Sequence, residues 1–488
     1  MSKTELEKSA VVENATPTTS DHQLPLPPFD KAAEGRLLRR LDLKVLPILW
    51  LLYVVCFVDR SNIGNAKIQG MDQELKLKGQ RYNIAVFVFN IGYLVAGVPL
   101  SIVFKKTGPK SLCVMMFCWG ILVVGCGVVK SWEGLVVCRL LEGMAESAYV
   151  PGAAYLIGSY YRKDEFLRRY VIFFSGGICA GAFNGFLSSL IAKMDGVSGY
   201  RAWRWIFIIE GVITIAISFA SYFFIVPFPE DATFFEPEEK ALLLARLKDD
   251  GGAVKKEKVP TKELGQYYKD WKIWVAILMY IGAAENANSI TGFQPTILKG
   301  IGYTATGAQI RTIPVYLVAA VYSISLAYTA EYLNKRYLFC MVGFATIAVG
   351  LIVEIVQPKA PGVRYMGLFF MTAGAYLVMP LSVVWIAINV GKGYKRTVAL
   401  SSIVCFGNAG AFIGTNVFLK KEEPKFHTGF SVGLGLCSLG AVAATVMFVG
   451  TYLGNKKRAE RRKELPEVLD EGSVEDLGEK HPDFRYCL

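Results

Sequence analysis

Residues 138–151 read "CRLLEGMAESAYVP" and lie inside a stretch otherwise apolar enough to cross a lipid bilayer. Arg139, Glu142 and Glu146 each cost about 2.5–3.5 kcal/mol at a bilayer centre on an insertion scale. Roughly nine apolar side chains return about −0.3 to −0.6 kcal/mol each, near half that sum, so the segment needs polar partners or water on its charged side. At about 100° per residue, Glu142 sits about 60° and Glu146 about 20° around the helix from Arg139, with about 10 Å between Arg139 and Glu146 along the axis. A helix with one ionisable stripe and a lipid-compatible remainder belongs in a bundle that lines a polar cavity.

The whole chain has the same character. Its 488 residues are 53% hydrophobic and only 19% charged, with mean hydropathy +0.37, which is the composition of a polytopic all-α membrane protein. Apolar runs of about 20 residues predict twelve transmembrane helices at 45–66, 82–104, 111–129, 133–159, 170–192, 205–226, 272–293, 312–330, 337–356, 365–390, 398–419 and 430–453. The expected organisation is a tail (1–40), a six-helix bundle (41–226), a hydrophilic linker (227–271), a second six-helix bundle (272–454) and a second tail (455–488). Two six-helix halves joined by a charged linker are how secondary transporters frame a site near the bilayer midplane.

Lys and Arg are in excess in the linker and tails, while the short loops are balanced, which puts both termini and the linker in the cytosol. Bases beside membrane ends account for the net charge of +12 without a nucleic-acid partner. Residues 1–35, rich in Pro, Thr and Glu, and the stretch after Arg458 read as disordered. No cleavable signal peptide is expected, because the first apolar run starts near residue 45 and ends in "DRSN".

All ten cysteines except Cys487 fall in predicted spans, where they act as small apolar residues. The three histidines, His22, His427 and His481, fall outside them. Without facing His or Cys clusters, no haem, zinc or other cofactor is expected, and a membrane metalloenzyme loses support.

Of 53 basic residues, Arg60 and Arg139 alone lie well inside predicted spans. The acids most clearly within spans are Asp59, Glu142, Glu146, Glu285 and Glu354, with Glu210 near the start of the sixth helix. Mutual pairing to permit folding is one reading; binding of cargo and protons is the other. An anion crossing a membrane needs a counter-charge that keeps its proton, and the guanidinium fork matches a carboxylate. A proton-coupled carrier also needs a carboxyl tuned by its surroundings. Arg139 fits the first role and Glu146 the second.

Three motifs, "DRSNIGNAKIQGM" (59–71), "CRLLEGMAESAYVPGA" (138–153) and "WRWIFIIEG" (203–211), together with the twelve-helix layout, resemble the major facilitator superfamily. Within it they are similar to the anion:cation symporter family, in its fungal allantoate, nicotinate and pantothenate permease branch. The resemblance spans about residues 40–455 and implies a monomeric, proton-coupled carrier of a small organic anion that works by alternating access in the plasma membrane. By motif it makes Asp59, Arg60, Arg139 and Glu146 the charged centre; the anion is then expected at Arg139 and Arg60, and the proton at Glu146, Asp59 and Glu142. Two departures stand out. "SIVFKKTGPK" places Ser101 and Lys105 where the superfamily has Gly and Asp, and Gly97 stands where many fungal members have Glu. The second departure keeps an exporter of an acidic metabolite open; a nutrient sensor without net flux and a channel have less behind them.

Other polar features are weighed in turn. Gly177, Gly181 and Gly185 in the fifth helix fit close helix packing. In "YIGAAENANSITGFQP" (280–295), Gly282, Gly292 and Pro295 suggest a broken helix, with Asn286 and Asn288 as substrate contacts beside Glu285 and Gln294. Asn408 and Asn416 of the eleventh helix read as packing. Tyr93, Phe174, Tyr280, Phe293 and Trp385 are candidates to stack on a planar cargo. "NKKRAERRK" (455–463) reads as a solvated stop after the last helix.

Overall fold

The computed structural model describes residues 31–77, 81–249, 264–303, 305–358, 360–390, 393–418, 422, 425–464 and 484–488. Every regular element among them is helical. The main helices are α1 (Lys31–Ala66), α2 (Arg81–Thr107), α3 (Lys110–Val128), α4 (Trp132–Glu146, continued by Tyr149–Tyr160), α5 (Phe166–Ile191) and α6 (Ala202–Phe224). They are followed by α7 (Trp271–Gly300), α8 (Ala305–Leu333), α9 (Arg336–Val356), α10 (Pro361–Asn389), α11 (Tyr394–Gly407, continued by Ala409–Val417) and α12 (His427–Glu464). Among the described residues, nine helices are long and apolar enough to cross a membrane: α1, α2, α3, α6 and α8–α12. Of the other three predicted spans, 133–159 is cut into pieces of 15 and 12 residues, whereas α5 and α7 reach 26 and 30 residues.

The break lies in α4, not in α7. Pro151 has no N–H to offer the Ser147 carbonyl, and its ring crowds that turn, so α4 is interrupted at Ser147–Ala148. The released carbonyl of Ser147 accepts the Cys405 thiol of α11 at 3.8 Å. Helix α7, expected to be broken, is continuous from Trp271 to Gly300. Its asparagines turn back on their own helix: Asn286 Nδ2 donates to the Gly282 carbonyl at 2.9 Å and Asn288 Nδ2 to that of Ala284 at 2.6 Å. They add polarity without opening the backbone.

Helix partners repeat along the chain. Helix α1 packs on α5, α2 on α4, and α3 on α6 and α4; six helices later α7 packs on α11, α8 on α10, and α9 on α12 and α10. The α2–α11 and α5–α8 contacts join the two sets. Both the joining and the internal packing use close approach: a Cβ on Gly97 would lie 2.0 Å from Cys405 Sγ, and one on Gly143 would lie 2.0 Å from the Phe89 carbonyl oxygen. Gly97, the departure seen in the sequence, is therefore the place where α11 fits against α2.

The expected tails and linker are partly structured. Helix α1 begins at Lys31 rather than after residue 40, because Leu37, Leu41 and Val45 form a buried stripe at four-residue spacing. The linker contains a helix, Pro237–Asp249, whose buried Arg246 pairs with Glu34 at 2.6 Å and Glu165 at 2.7 Å. Beyond Arg458 the chain stays helical to Glu464, and Phe484–Leu488 lies back against the bundle. Residues 1–30 and 465–483, also expected to be disordered, lie outside the described residues. The end that carries the linker helix and the start of α1 is called the linker side below.

Candidate substrate cavity

A cavity lies where α1, α2, α4 and α5 meet α7, α10 and α11. Helical stripes build its wall: Tyr53, Cys56, Phe57 and Arg60 of α1 recur at i, i+3, i+4 and i+7, Glu146 and Val150 of α4 at i and i+4, and Val404 and Asn408 of α11 likewise. Tyr93, Phe174, Tyr280, Asn288 and Tyr376 complete most of the rest. The free space is about 40 Å³. On the same scale one water needs about 10–15 Å³, so the space holds a few waters.

The cavity holds one basic and one acidic side chain. Arg60 has no ion pair among the described residues; its Nη2 donates to Asn90 Oδ1 at 3.3 Å, and its guanidinium lies 5.3 Å from the Phe89 ring centroid and 5.5 Å from that of Tyr93. Those aromatic faces hold a cation without neutralising it. Glu146 is 1% exposed, has no ion pair among the described residues, and its Oε2 is without a hydrogen-bond partner. Each of the two therefore keeps capacity for a ligand.

Arg139 stands one layer behind. Its Nη1 donates to both Glu142 carboxylate oxygens, at 3.0 and 3.1 Å, and its Nη2 reaches the Arg60 carbonyl at 3.5 Å. Its guanidinium lies 4.8 Å from the centroid of Phe89, so Arg60 and Arg139 share that ring. Asp59 Oδ2 accepts from Trp119 Nε1 at 3.1 Å and from Thr214 Oγ1 at 2.7 Å, and Glu210 accepts from Asn62 Nδ2.

Of the residues singled out in the sequence, the structure thus brings Arg60, Glu146 and Asn288 to the cavity and leaves Arg139, Glu142, Asp59 and Asn286 outside its wall. Arg139 shares an azimuth with Glu146, but the wall takes only Glu146 and Val150 from α4, so the separation along the axis decides. Glu142 is consumed by Arg139. Asp59 points to α3 and α6. Asn286 faces α12, where it also donates to the Gly433 carbonyl at 3.4 Å; two residues turn a helix by about 200°, so it does not share a face with Asn288.

Residues 49–415 match the family model described as Major Facilitator Superfamily. The chain belongs to that superfamily. It is 32% identical over 478 residues to "MFS-type transporter cnsO" of Penicillium expansum, covering 94% of this chain and 92% of the relative. It is 28% identical over 474 residues to the "High-affinity nicotinic acid transporter" of Saccharomyces cerevisiae, covering 96% and 87%. Among solved structures it resembles the proton:xylose symporter XylE, with TM-score 0.67 at 13% identity over 83% of this chain and 95% of that one. A bacterial homologue of the lysosomal transporter Spinster gives TM-score 0.53 at 17% identity, covering 83% and 92%. This facilitator is a multi-pass membrane protein of a transporter superfamily.

The facilitator's aromatic wall differs in part from the expected set. Tyr93, Phe174 and Tyr280 line the cavity, whereas Phe293 stacks on Phe418 at 4.7 Å and Trp385 donates to the Cys487 carbonyl. Tyr53, Cys56, Tyr376 and Asn408 line it without having been singled out as binding residues. Spacing from Arg60 would have found Tyr53 and Cys56, which sit two turns and one turn before it on the same face.

Below the cavity the facilitator is shut by polar contacts on the linker side. Ser101 Oγ donates to Ser401 Oγ at 3.1 Å across α2–α11, and Arg396 Nη1 donates to the Gly158 carbonyl at 3.2 Å across α11–α4. Arg168 of α5 pairs with Glu331 of α8 at 2.7 Å. On the opposite side the ring of Phe87 meets that of Phe412 edge-on at 4.6 Å. Glu74 there accepts from Trp203 Nε1 at 2.8 Å and from Arg204 Nη2 at 2.7 Å. Burial pushes the Glu74 carboxyl up, but the Trp203 and Arg204 donors and the Arg204 and Arg201 charges outweigh it and hold it below its ordinary value.

Proposed function

We propose that this facilitator is a proton-coupled carrier of a small organic carboxylate. It works by alternating access between two six-helix halves, α1–α6 and α7–α12, each helix crossing the membrane, with both termini and the linker in the cytosol. The observation that carries the reading is that one cavity holds a single arginine and a single acid, Arg60 and Glu146, neither drawn into a short ion pair among the described residues.

Charge balance then gives the coupling. In the empty cavity the charge of Arg60 is offset by ionised Glu146. A bound carboxylate adds one negative charge, and inside the bundle an uncompensated charge costs several kcal/mol. One proton on Glu146 restores neutrality, so cargo and proton travel together. Arg60 meets the carboxylate through its fork. Arg139, fixed by Glu142, holds the Arg60 backbone and shares its aromatic support. Asp59, bonded to α3 and α6, ties the first helix to the elements that move with it.

The nicotinic acid transporter among the relatives supports a monocarboxylate cargo. The rings of Tyr53, Phe174 and Tyr376, with centroids 5.7 and 6.2 Å apart in sequence across α1, α5 and α10, suit a planar one. A monomer in the plasma membrane is part of the same reading. The test is uptake of a labelled panel (nicotinate, pantothenate, biotin, allantoate and short hydroxy acids) into cells expressing the chain, with and without a proton uncoupler. Uncoupler-sensitive accumulation of one compound is expected. Failure of all, by a protein verified at the surface, turns the reading to an exporter of an acidic metabolite.

A further inference from the structure

The segment Phe484–Leu488 is held at the linker side as a peptide whose backbone is read by side chains. Asn455 brackets Tyr486: its Oδ1 accepts the Tyr486 N–H at 2.8 Å and its Nδ2 donates to the Tyr486 carbonyl at 2.9 Å. Asn389 brackets Cys487 in the same way, at 2.8 and 2.9 Å, and Trp385 Nε1 adds a second donor to the Cys487 carbonyl at 2.9 Å. The Arg336 N–H donates to the Leu488 carbonyl at 3.2 Å, and Arg458 Nη1 to that of Phe484 at 3.0 Å. The Tyr486 hydroxyl accepts from Arg458 at 2.9 Å and from Lys272 at 3.4 Å.

These groups come from α7, α9, α10 and α12, so five residues tie four helix ends together. The segment also reaches across the division between the two sets of helices. Lys163, in the connection from α4 to α5, lies 5.1 Å from the Phe484 ring centroid, and its carbonyl accepts from Arg336 Nη2 at 3.1 Å. A few residues away, Arg168 pairs with Glu331. Side-chain amides that satisfy both the N–H and the C=O of one residue make a defined peptide site, because any buried backbone group left over would carry its desolvation cost.

We propose that Phe484–Leu488 is a strap seated in a peptide-binding site of this same chain, that it holds the linker-side end closed, and that it must leave before that end opens. The inference rests on the alternating-access reading for its place in the cycle, but its test needs no cargo. Cys405, buried between Gly97 and Ser147 in the closed α2–α11 contact, is the native reporter, and Cys113, buried in α3, reports the integrity of the bundle. The rate of alkylation at each cysteine is followed by mass spectrometry in the reconstituted full chain and in a form lacking residues 484–488.

Deletion should raise the Cys405 rate several-fold and leave Cys113 unchanged, and an added FRYSL peptide, with serine replacing the thiol, should restore protection. In the full chain, Asn389→Ala combined with Asn455→Ala should expose Cys405 in the same direction. An unchanged Cys405 rate in either form overturns the strap. So does a rise that the peptide does not reverse, or one shared by Cys113. A chain that carries none of the carboxylates yet shows peptide-reversible exposure of Cys405 would refute the proposed cargo and leave the strap standing.

Discussion

At the linker side, Arg168 is 2.7 Å from Glu331, Arg169 is 2.7 Å from Asp42, and Arg246 lies between Glu34 and Glu165, whereas inside the cavity Arg60 and Glu146 have no ion pair among the described residues. In the first group Arg168, Asp42 and Glu34 are partly exposed and each meets a buried partner, so these charges are already matched where the bundle closes. The second pair offsets only each other's charge inside the bundle, so an added anion there favours an added proton. Charges that already have partners shape the closed end; those without partners are the ones available to cargo and proton. Arg139 and Glu142 belong with the partnered group although they lie beside the cavity.

The largest effect tests that last assignment. Arg139→Ala strands a buried carboxylate and should cost about 3–5 kcal/mol of stability, read as a lower unfolding temperature of the purified protein; Arg139→Leu together with Glu142→Leu should recover most of it. A cargo-binding Arg139 would instead leave the single variant stable and silent. Arg60→Ala breaks no ion pair, so surface amounts should hold while uptake falls by about 100-fold or more, the worth of a lost charged contact of up to about 3 kcal/mol. Under a one-unit pH gradient, Glu146→Gln should reduce accumulation from about tenfold, the 1.36 kcal/mol such a gradient supplies, to none, while exchange of labelled for unlabelled cargo continues.

Smaller effects belong to the rims. Arg168→Ala removes the exposed partner of buried Glu331, which keeps the backbone N–H of residue 168 as a donor, so the balance toward the linker-side-open form should shift by less than the Arg139 variant costs, read as faster alkylation of Cys405. Glu74, held below its ordinary value, keeps its bracket at neutral pH and loses it only as pH falls through that lowered value. Glu74→Gln should therefore leave the pH profile of transport unchanged between about pH 5 and pH 7; an altered profile would place part of the coupling at the rim.

Much of this was legible in the residues. The cost of intramembrane charge picks out Arg60 and Glu146, and apolar length picks out the helices. Azimuth and the two turns of rise between Arg139 and Glu146 are both legible in the sequence, but which of the two heights the cavity occupies is set by the partner helices. For Asn286 and Asn288 the wheel itself already separates them. Pro151 marked the true break, in α4, through the carbonyl it leaves unbonded four residues earlier; the Gly and Pro residues of α7 drew attention instead. The Phe484–Leu488 contacts leave no periodic trace, because they join side-chain amides to backbone groups about 30 to 100 residues away, from Asn455 and Asn389 respectively.

The central claim is that one proton accompanies one carboxylate through the cavity of Arg60 and Glu146. It is tested most directly by adding the cargo identified in the uptake panel to proteoliposomes that contain a pH-sensitive dye, with no imposed gradient. The account predicts acidification of the lumen with the native chain, no acidification but continued cargo exchange with Glu146→Gln, and neither with Arg60→Ala. Acidification that persists in Glu146→Gln, or cargo movement that persists in Arg60→Ala, would contradict it.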